Sequence, residues 1–239
     1  MPPAHPPEQT PTDTGTAAPT TNGTTAGNGT NNTTIVVANG TRPLPRLPVG
    51  RIIAADGGLA RTLAAGLQAD VLVGDLDSVS PHDLEAHQTA GGRIEAFPRD
   101  KNQTDLELAI DLAEPGCNLI LVGGDGHDRF DHLLGELSHV AHRAKAFASV
   151  TVHYPPSVMR ILSDGQSVTL DGVPGSIISL IPFAATAYGV TATGVSWPLE
   201  GDDLRAGSTR GLSNQLVNNQ AVVSVEKGTL FVVQPVVEP

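Results

Sequence analysis

Ala69-Asp70-Val71-Leu72-Val73-Gly74-Asp75-Leu76-Asp77-Ser78 is the stretch around which the rest of the sequence is organised. Its apolar run, Val71 to Val73, has the character of a strand, stops at a glycine and delivers two carboxylates at i and i+2. In extended backbone that spacing sends both carboxylates to one side and Leu76 to the other. Side by side they repel, unless a cation or a cluster of donors lies between them. Mg²⁺ suits such a pair, because it takes one or two carboxylates and leaves positions open for phosphate oxygens. The plainer alternative is two solvated loop carboxylates.

Outward from this stretch the grammar is strand, turn, helix. Thr34 to Ala38 reads as a first strand ended by Asn39-Gly40, and Arg42 to Pro48 as a Pro-rich loop. Arg51 to Ala55 is a second strand, and Asp56-Gly57-Gly58 turns into a helix over 59–65 with Gly66 as its stop. Pro81 opens a helix to Thr89, and Arg93 to Phe97 is a further strand. Thr104 and Glu107 fit a capping box, with Leu106, Ala109, Ile110 and Ala113 at helical spacing. Leu119 to Val122 is a buried strand, 125–132 a polar loop, and a helix follows with Leu133, Leu137, Val140, Ala141 and Ala144 on one face. Val150 to His153 closes this half.

Strands alternating with helices imply a parallel sheet covered on both faces. In such sheets ligands bind beyond the carboxyl ends of the strands. Asp56, Asp75, Asp77 and the Gly123 loop all fall at such ends. After Tyr154-Pro155-Pro156 short β-rich runs at 167–170, 176–181, 188–193, 221–225 and 229–233 alternate with Gly, Pro and Asp turns, as in an all-β unit. The fold class expected is therefore an α/β parallel-sheet domain over 34–155, followed by a small all-β sandwich over 156–239. Residues 1–33, built from Pro, Thr, Gly, Asn and Ala, read as a disordered tail, because they offer too little apolar surface to offset ordering entropy.

Composition narrows the function classes. The formal net charge is −11, and Glu8 and Asp13 balance Arg42 and Arg46, so residues from 51 onward carry all of it. Lysine occurs only at 101, 145 and 227, which leaves no basic footprint for nucleic acid. No run approaches the ~18 apolar residues of a membrane span. No signal-peptide pattern is present, and the single cysteine, Cys117, reads as a small buried residue; a cytoplasmic location is expected. There is no G-x-x-x-x-G-K-[ST] phosphate loop and no G-x-S-x-G nucleophile elbow. His127, Asp128, Asp131 and His132 lack the paired-histidine spacing of zinc motifs.

Lys101 and Arg129, in loops beside the carboxylates, are candidate phosphate donors or plain surface charges. Asp56 and Asp105 each stand at a turn into a helix, where N-capping alone would explain them. Trp197 either packs in the β unit or offers a face for a flat ligand. The loop Ser208 to Asn214 either turns the chain or hydrogen-bonds a ligand.

Taken together, several strings resemble the thiamine pyrophosphokinase family. They are Ala55-Asp56-Gly57-Gly58, Gly74-Asp75-Leu76-Asp77-Ser78, Asp100-Lys101-Asn102-Gln103-Thr104-Asp105 and Arg129-Phe130-Asp131-His132. In the β unit they continue as Thr193-Gly194-Val195-Ser196-Trp197-Pro198-Leu199, Gly207 to Asn214 and Val225-Glu226-Lys227-Gly228. Asn102, where the family often has aspartate, and Asp128, before Arg129, depart from the pattern.

The resemblance implies a homodimer that transfers the pyrophosphoryl group of ATP to the thiamine hydroxyl and releases AMP. It implies Mg²⁺ on Asp75, Asp77 and Asp105, with Asp56 close by. Lys101, Thr104, Arg129 and Asp131 would line the ATP and substrate side, Asp56 or Asp131 would orient the hydroxyl, and Trp197, Ser213 and Asn214 would meet thiamine across the dimer interface. The rival readings are a pyrophosphokinase for another heteroaromatic alcohol, such as a hydroxymethylpterin, and a non-catalytic nucleotide or thiamine sensor.

Overall fold

β-Branched and apolar runs build the centre of the molecule. Thr33–Val37 (β1), Arg51–Ala55 (β2), Val71–Gly74 (β3) and Asn118–Val122 (β5) are buried along most of their length, as strands covered on both faces must be. Arg93–Ala96 (β4) and Ser149–Tyr154 (β6) flank them, giving six parallel strands in the order β6-β5-β1-β2-β3-β4. The description comes from a computed structural model and covers residues 32–124 and 129–235. The expected N-terminal tail, apart from its last two residues, and the expected loop residues 125–128 lie outside it.

Helices Gly58–Ala64 (α1) and Pro81–Thr89 (α2) cover one face, where Leu59, Leu63 and Leu84 meet Ile35, Val37 and Leu72. Asp105–Asp111 (α3) and Phe130–Arg143 (α4) cover the other, where Leu106, Ala109, Val140 and Ala141 meet Val36, Ile53 and Leu121. Helix starts follow local chemistry. The Ser80 hydroxyl accepts from the Asp83 amide ahead of Pro81, and Thr104 Oγ1 accepts from the Glu107 amide at 3.1 Å. The capping box is half made, because the Glu107 carboxylate lies 3.5 Å from His139 Nδ1 instead. Helix α4 begins at Phe130, so Phe130 to His132 belong to its first turn and not to the polar loop expected there.

Val150–His153 does not close the sheet. Ser157–Ser163 (β7), which the spacing of turn residues did not reveal, pairs antiparallel with β6 through the Pro155-Pro156 hairpin. Thr229–Pro235 (β14), Ile177–Pro182 (β9) and Asn214–Gln215 (β12) extend it to ten strands. A second sheet has four strands in the order β11-β10-β13-β8: Leu199–Leu204 (β11), Ala187–Thr193 (β10), Gln220–Ser224 (β13) and Ser167–Asp171 (β8).

Period-two alternation joins the two halves. On β14, Phe231 faces the α/β core while Leu230 and Val232 face Leu170, Val190 and Val223 of the second sheet. On β7, Ile161 and Leu162 divide in the same way. The expected α/β unit and β-sandwich are therefore both present, and one continuous sheet serves them.

Helix α1 lies hard against β1. A Cβ at Gly58 would stand 2.0 Å from the Val37 carbonyl oxygen, whereas a Cβ at Gly135 on α4 would meet nothing within 4 Å. Gly58→Ala is expected to lower the urea midpoint by about 1–3 kcal/mol equivalent, because backbone cannot give way. Gly135→Ala is expected to raise it by up to about 1 kcal/mol through helix propensity. Paired urea melts check both.

Candidate active site

The chain runs from β1 outward through β2, β3 and β4, then returns to place β5 on the other side of β1. Strand order thus reverses beside β1, the place where open α/β sheets bind ligands. A cavity of about 510 Å³ opens there, lined by Ala38, Asn39 and Gly40 after β1, Ala55 and Asp56 after β2, and Gly124 after β5. Thr104, Asp105 and Leu106 of α3, with Arg129, His132 and Glu136 of α4, complete the wall together with Tyr154.

Arg61 holds this edge together from below. It is buried, and its guanidinium Nη1 donates to the carbonyls of Ala38 at 2.7 Å and Gly123 at 3.0 Å, while Nε donates to Arg42 at 3.2 Å. It therefore ties the carboxyl ends of β1 and β5, where the ladder leaves acceptors without partners. On the cavity side the Asn39 side chain rests on Gly57, whose absent Cβ would lie 2.7 Å from it.

The organising stretch behaves differently from its extended reading. β3 ends at Gly74, and the two carboxylates converge through a turn: the Asp77 amide donates to Asp75 Oδ1 at 3.1 Å, and Leu76 takes a left-handed φ of 64°. Asp56 is also left-handed, at φ 45°. Gly74 is required where it stands, since a Cβ there would be 3.1 Å from both Asp56 and Asp105. Backbone held in sparsely populated regions costs of order 1–3 kcal/mol per residue and concentrates at functional sites.

Carboxylate oxygens of Asp56, Asp75 and Asp77 lie within 4.8 Å of one another. Asp105 is not in that trio. Lys101 Nζ stands 3.1 Å from Asp105 Oδ1 and 3.8 Å from Asp75 Oδ2, so an ammonium separates the two. Arg99 lies 3.7 Å from Asp77. Asp56 is 8 % exposed, and its Oδ1 is buried without a hydrogen-bond partner. Burial raises its carboxyl above the ordinary range; the Ser78 hydroxyl opposes this, and Asp105 and Asp75 add to it. A buried, unpartnered carboxylate oxygen beside two further carboxylates is a donor set that would suit a hard divalent cation.

Arg129 and Asp131 form a two-pronged pair, Nε to Oδ1 at 3.0 Å and Nη2 to Oδ2 at 2.8 Å. Arg129's hydrogen bond holds the Asp131 carboxyl well below the usual carboxylate range. Thr104 lines the cavity and caps α3.

Trp197, Ser213 and Asn214 form a separate group, and none of them lines this cavity. Trp197 is 62 % exposed, so it is not a core residue. Buried Asn214 holds it in place: Asn214 Nδ2 donates to the Trp197 carbonyl at 2.7 Å, and Oδ1 accepts from the Trp197 amide at 3.1 Å. Ser213 is left-handed at φ 58°, and its amide donates to Ser179 Oγ at 3.1 Å. Sequence reading missed Asn39, Arg61, Glu136 and Tyr154 as parts of the site. Asn39-Gly40 at the end of the first strand was a usable signal for one of them. A lone arginine or glutamate on a helix carries none.

Comparison with known proteins agrees with this layout. Residues 49–152 match the family description "Thiamin pyrophosphokinase, catalytic domain", and residues 166–230 match "Thiamin pyrophosphokinase, vitamin B1 binding domain". Thiamine pyrophosphokinase of Bacillus subtilis is 27 % identical over 183 residues, covering 76 % of this chain and 86 % of the relative. Thiamine pyrophosphokinase 1 of rice, Oryza sativa, is 28 % identical over 154 residues, 61 % of this chain and 58 % of the relative. The crystal structure of the Bacillus subtilis enzyme superposes with a TM-score of 0.74 at 24 % identity, covering 86 % of this chain and all of that one. The Candida albicans enzyme does so at 0.69 and 12 %, covering 86 % and 89 %. With two matched segments in order across both halves, and a carboxylate-lined cavity at the reversal of strand order, the chain belongs to the thiamine pyrophosphokinase family.

Proposed function

We propose that this chain transfers the pyrophosphoryl group of ATP to the hydroxyl of thiamine, giving thiamine diphosphate and AMP. The observation that carries the reading is the succession of a catalytic-domain match and a vitamin B1-binding match, one on each half of the fold. The second match favours thiamine over another heteroaromatic alcohol. Family members act as ATP-dependent diphosphotransferases, and the division of labour proposed here follows the halves: 34–155 for ATP and cation, 156–239 for thiamine.

Asp56, Asp75 and Asp77 would hold Mg²⁺, with Asp105 next to them across Lys101. When bound, the ion neutralises charge on phosphate oxygens. Transfer of this kind needs little covalent help, so positioning and charge neutralisation supply most of the catalysis. Lys101, 14 % exposed and already between two carboxylates, is placed to release toward a phosphate oxygen. Arg129, steered by Asp131, is placed at the cavity wall to balance negative charge on the ligand. Thr104 offers a hydroxyl on the same wall.

The thiamine side is proposed as a homodimer interface. Trp197, Ser213 and Asn214 stand apart from the ATP cavity, and Ile177, Trp197, Leu212 and Val217, all close in sequence to β9, β12 and the bridge between Val195 and Leu216, are exposed. Such an apolar patch marks an interaction surface. A second protomer would bring its cavity to this patch. Among the described residues no helix is long and apolar enough to cross a membrane, and a cytoplasmic location is the reading favoured by the lone buried thiol of Cys117.

Incubation with ATP, Mg²⁺ and thiamine is expected to yield AMP only when thiamine is present, read by nucleotide chromatography. ADP would mark a simple kinase, and no nucleotide turnover would mark a sensor. Asp75→Asn and Asp77→Asn are expected to lower turnover by orders of magnitude. The same variants should melt at or above the wild-type temperature without Mg²⁺, since one of three repelling charges is gone. Mg²⁺ should raise the wild-type melting temperature and leave theirs unmoved. Trp197→Ala is expected to raise KM for thiamine roughly tenfold or more while KM for ATP holds, matching the ~1–3 kcal/mol of aromatic stacking on a flat ring.

A further inference from the structure

The nucleotide cavity contains a carboxylate that no cation among the described residues answers. Glu136 lies on α4 one turn beyond His132, and it lines both the main cavity and an adjoining recess of about 180 Å³ between α3 and α4. It is half-buried, and it forms no hydrogen bond or ion pair with the described residues. The other acidic groups around it are accounted for. Asp105 is beside Lys101, Asp131 is forked to Arg129, and Glu107 and Asp111 are paired with His139 and Arg143 of α4. Asp56 belongs to the carboxylate trio. Of the other groups on the wall, the Arg129 guanidinium faces Asp131, and His132 makes no ion pair with Glu136.

A polyanion entering this cavity would meet an ionised Glu136 as a like charge in a partly desolvated place, which is unfavourable. The neutral acid, in contrast, is a hydrogen-bond donor. We propose that Glu136 is a nucleotide-contacting residue that works as a neutral carboxyl, donating to an anionic oxygen of the ligand and taking up its proton from solvent as the complex forms. The inference rests on the nucleotide reading of the cavity given above. Burial independently pushes the Glu136 carboxyl up to about 7, so the free protein is already poised near neutrality. The sign follows by linkage. The affinity due to the neutral form is fully present well below pH 7 and is lost as pH rises through and beyond it.

Calorimetric titration of the full chain with MgATP, without thiamine, decides the matter. At pH 8 the phosphates have titrated, since their last ionisation lies near ~6. Two buffers of different ionisation enthalpy should report net uptake approaching one proton per nucleotide bound. Across pH 7 to 9 the wild-type Kd should rise toward tenfold per pH unit, the limit for one linked proton. Glu136→Gln, which keeps a donor without a titrating proton, should abolish the uptake and flatten the pH dependence, whereas His132→Gln should keep both. Absence of proton uptake in the wild type overturns the proposal even if the variant fails to fold, as does a slope that survives in Glu136→Gln or vanishes in His132→Gln. Failure of MgATP to bind at any pH removes the nucleotide reading and this proposal with it; binding without uptake removes this proposal alone.

Discussion

Carboxylates converging at the end of β3 are the constraint to which the site is built. Asp56, Asp75 and Asp77 within 4.8 Å, with Asp105 adjacent, repel one another in a place where Asp56 is nearly dry. The surroundings answer that repulsion in identifiable ways. Gly74, at φ 147°, leaves out a Cβ that would crowd Asp56 and Asp105 at 3.1 Å, and Leu76 and Asp56 accept left-handed backbone to aim their neighbours. Lys101 supplies an internal counter-charge. The left-handed backbone at Leu76 and Asp56 raises the local cost, which is expected where a ligand completes the charge balance. A chain selected for stability alone would have replaced one of the acids.

The scaffold can bear this load because both halves share one sheet. Alternation along β7 and β14 lets a single strand face the α/β core on one side and the sandwich on the other. The parallel strands β1, β2, β3 and β5 are therefore braced over their whole width, and only their carboxyl ends are open. Arg61 stiffens that open edge by collecting three carbonyls from two loops, those after β1 and after β5. The similarity to solved structures establishes this fold; the chemistry rests on the side chains that the fold presents.

Much of this was legible in the sequence where periodicity and turn chemistry point the same way. The continuous apolar runs of β1, β2, β3 and β5 announced a parallel sheet, and Ser80-Pro81 and Thr104-Asp105 announced helix starts. β7 was not legible, because Ser157 to Ser163 follows two prolines and carries Met159 and Arg160 within it, so neither face alternates cleanly. The first turn of α4 looked like loop because its opening residues are polar and Phe130 is 68 % exposed, which breaks the apolar stripe. Among the functional positions, Asp75 and Asp77 were readable as a pair. That Asp56 falls at the same sheet edge was readable too, but its closing to within 4.8 Å of both was not, since that depends on β2 and β3 being neighbours in register. The separation of Asp105 from that trio depends on where Lys101 places its ammonium, which no spacing rule supplies.

An acidic chain that handles a polyanion has to localise its charge. The −11 of the whole sequence says nothing about the cavity, where the acids are arranged by task. One group is concentrated at the end of β3, where Lys101 and Arg99 answer part of its charge and a hard cation would answer the rest. A second, Asp131, is committed to Arg129 and fixes the direction of a guanidinium. The third, Glu136, has neither cation nor donor among the described residues, and in a partly desolvated wall such a group is least costly when neutral. The same side-chain chemistry would thus supply cation binding, cation steering and hydrogen-bond donation, with burial and pairing deciding which. Asp131 is held by the arginine that it orients, and breaking that pair would release the arginine as well.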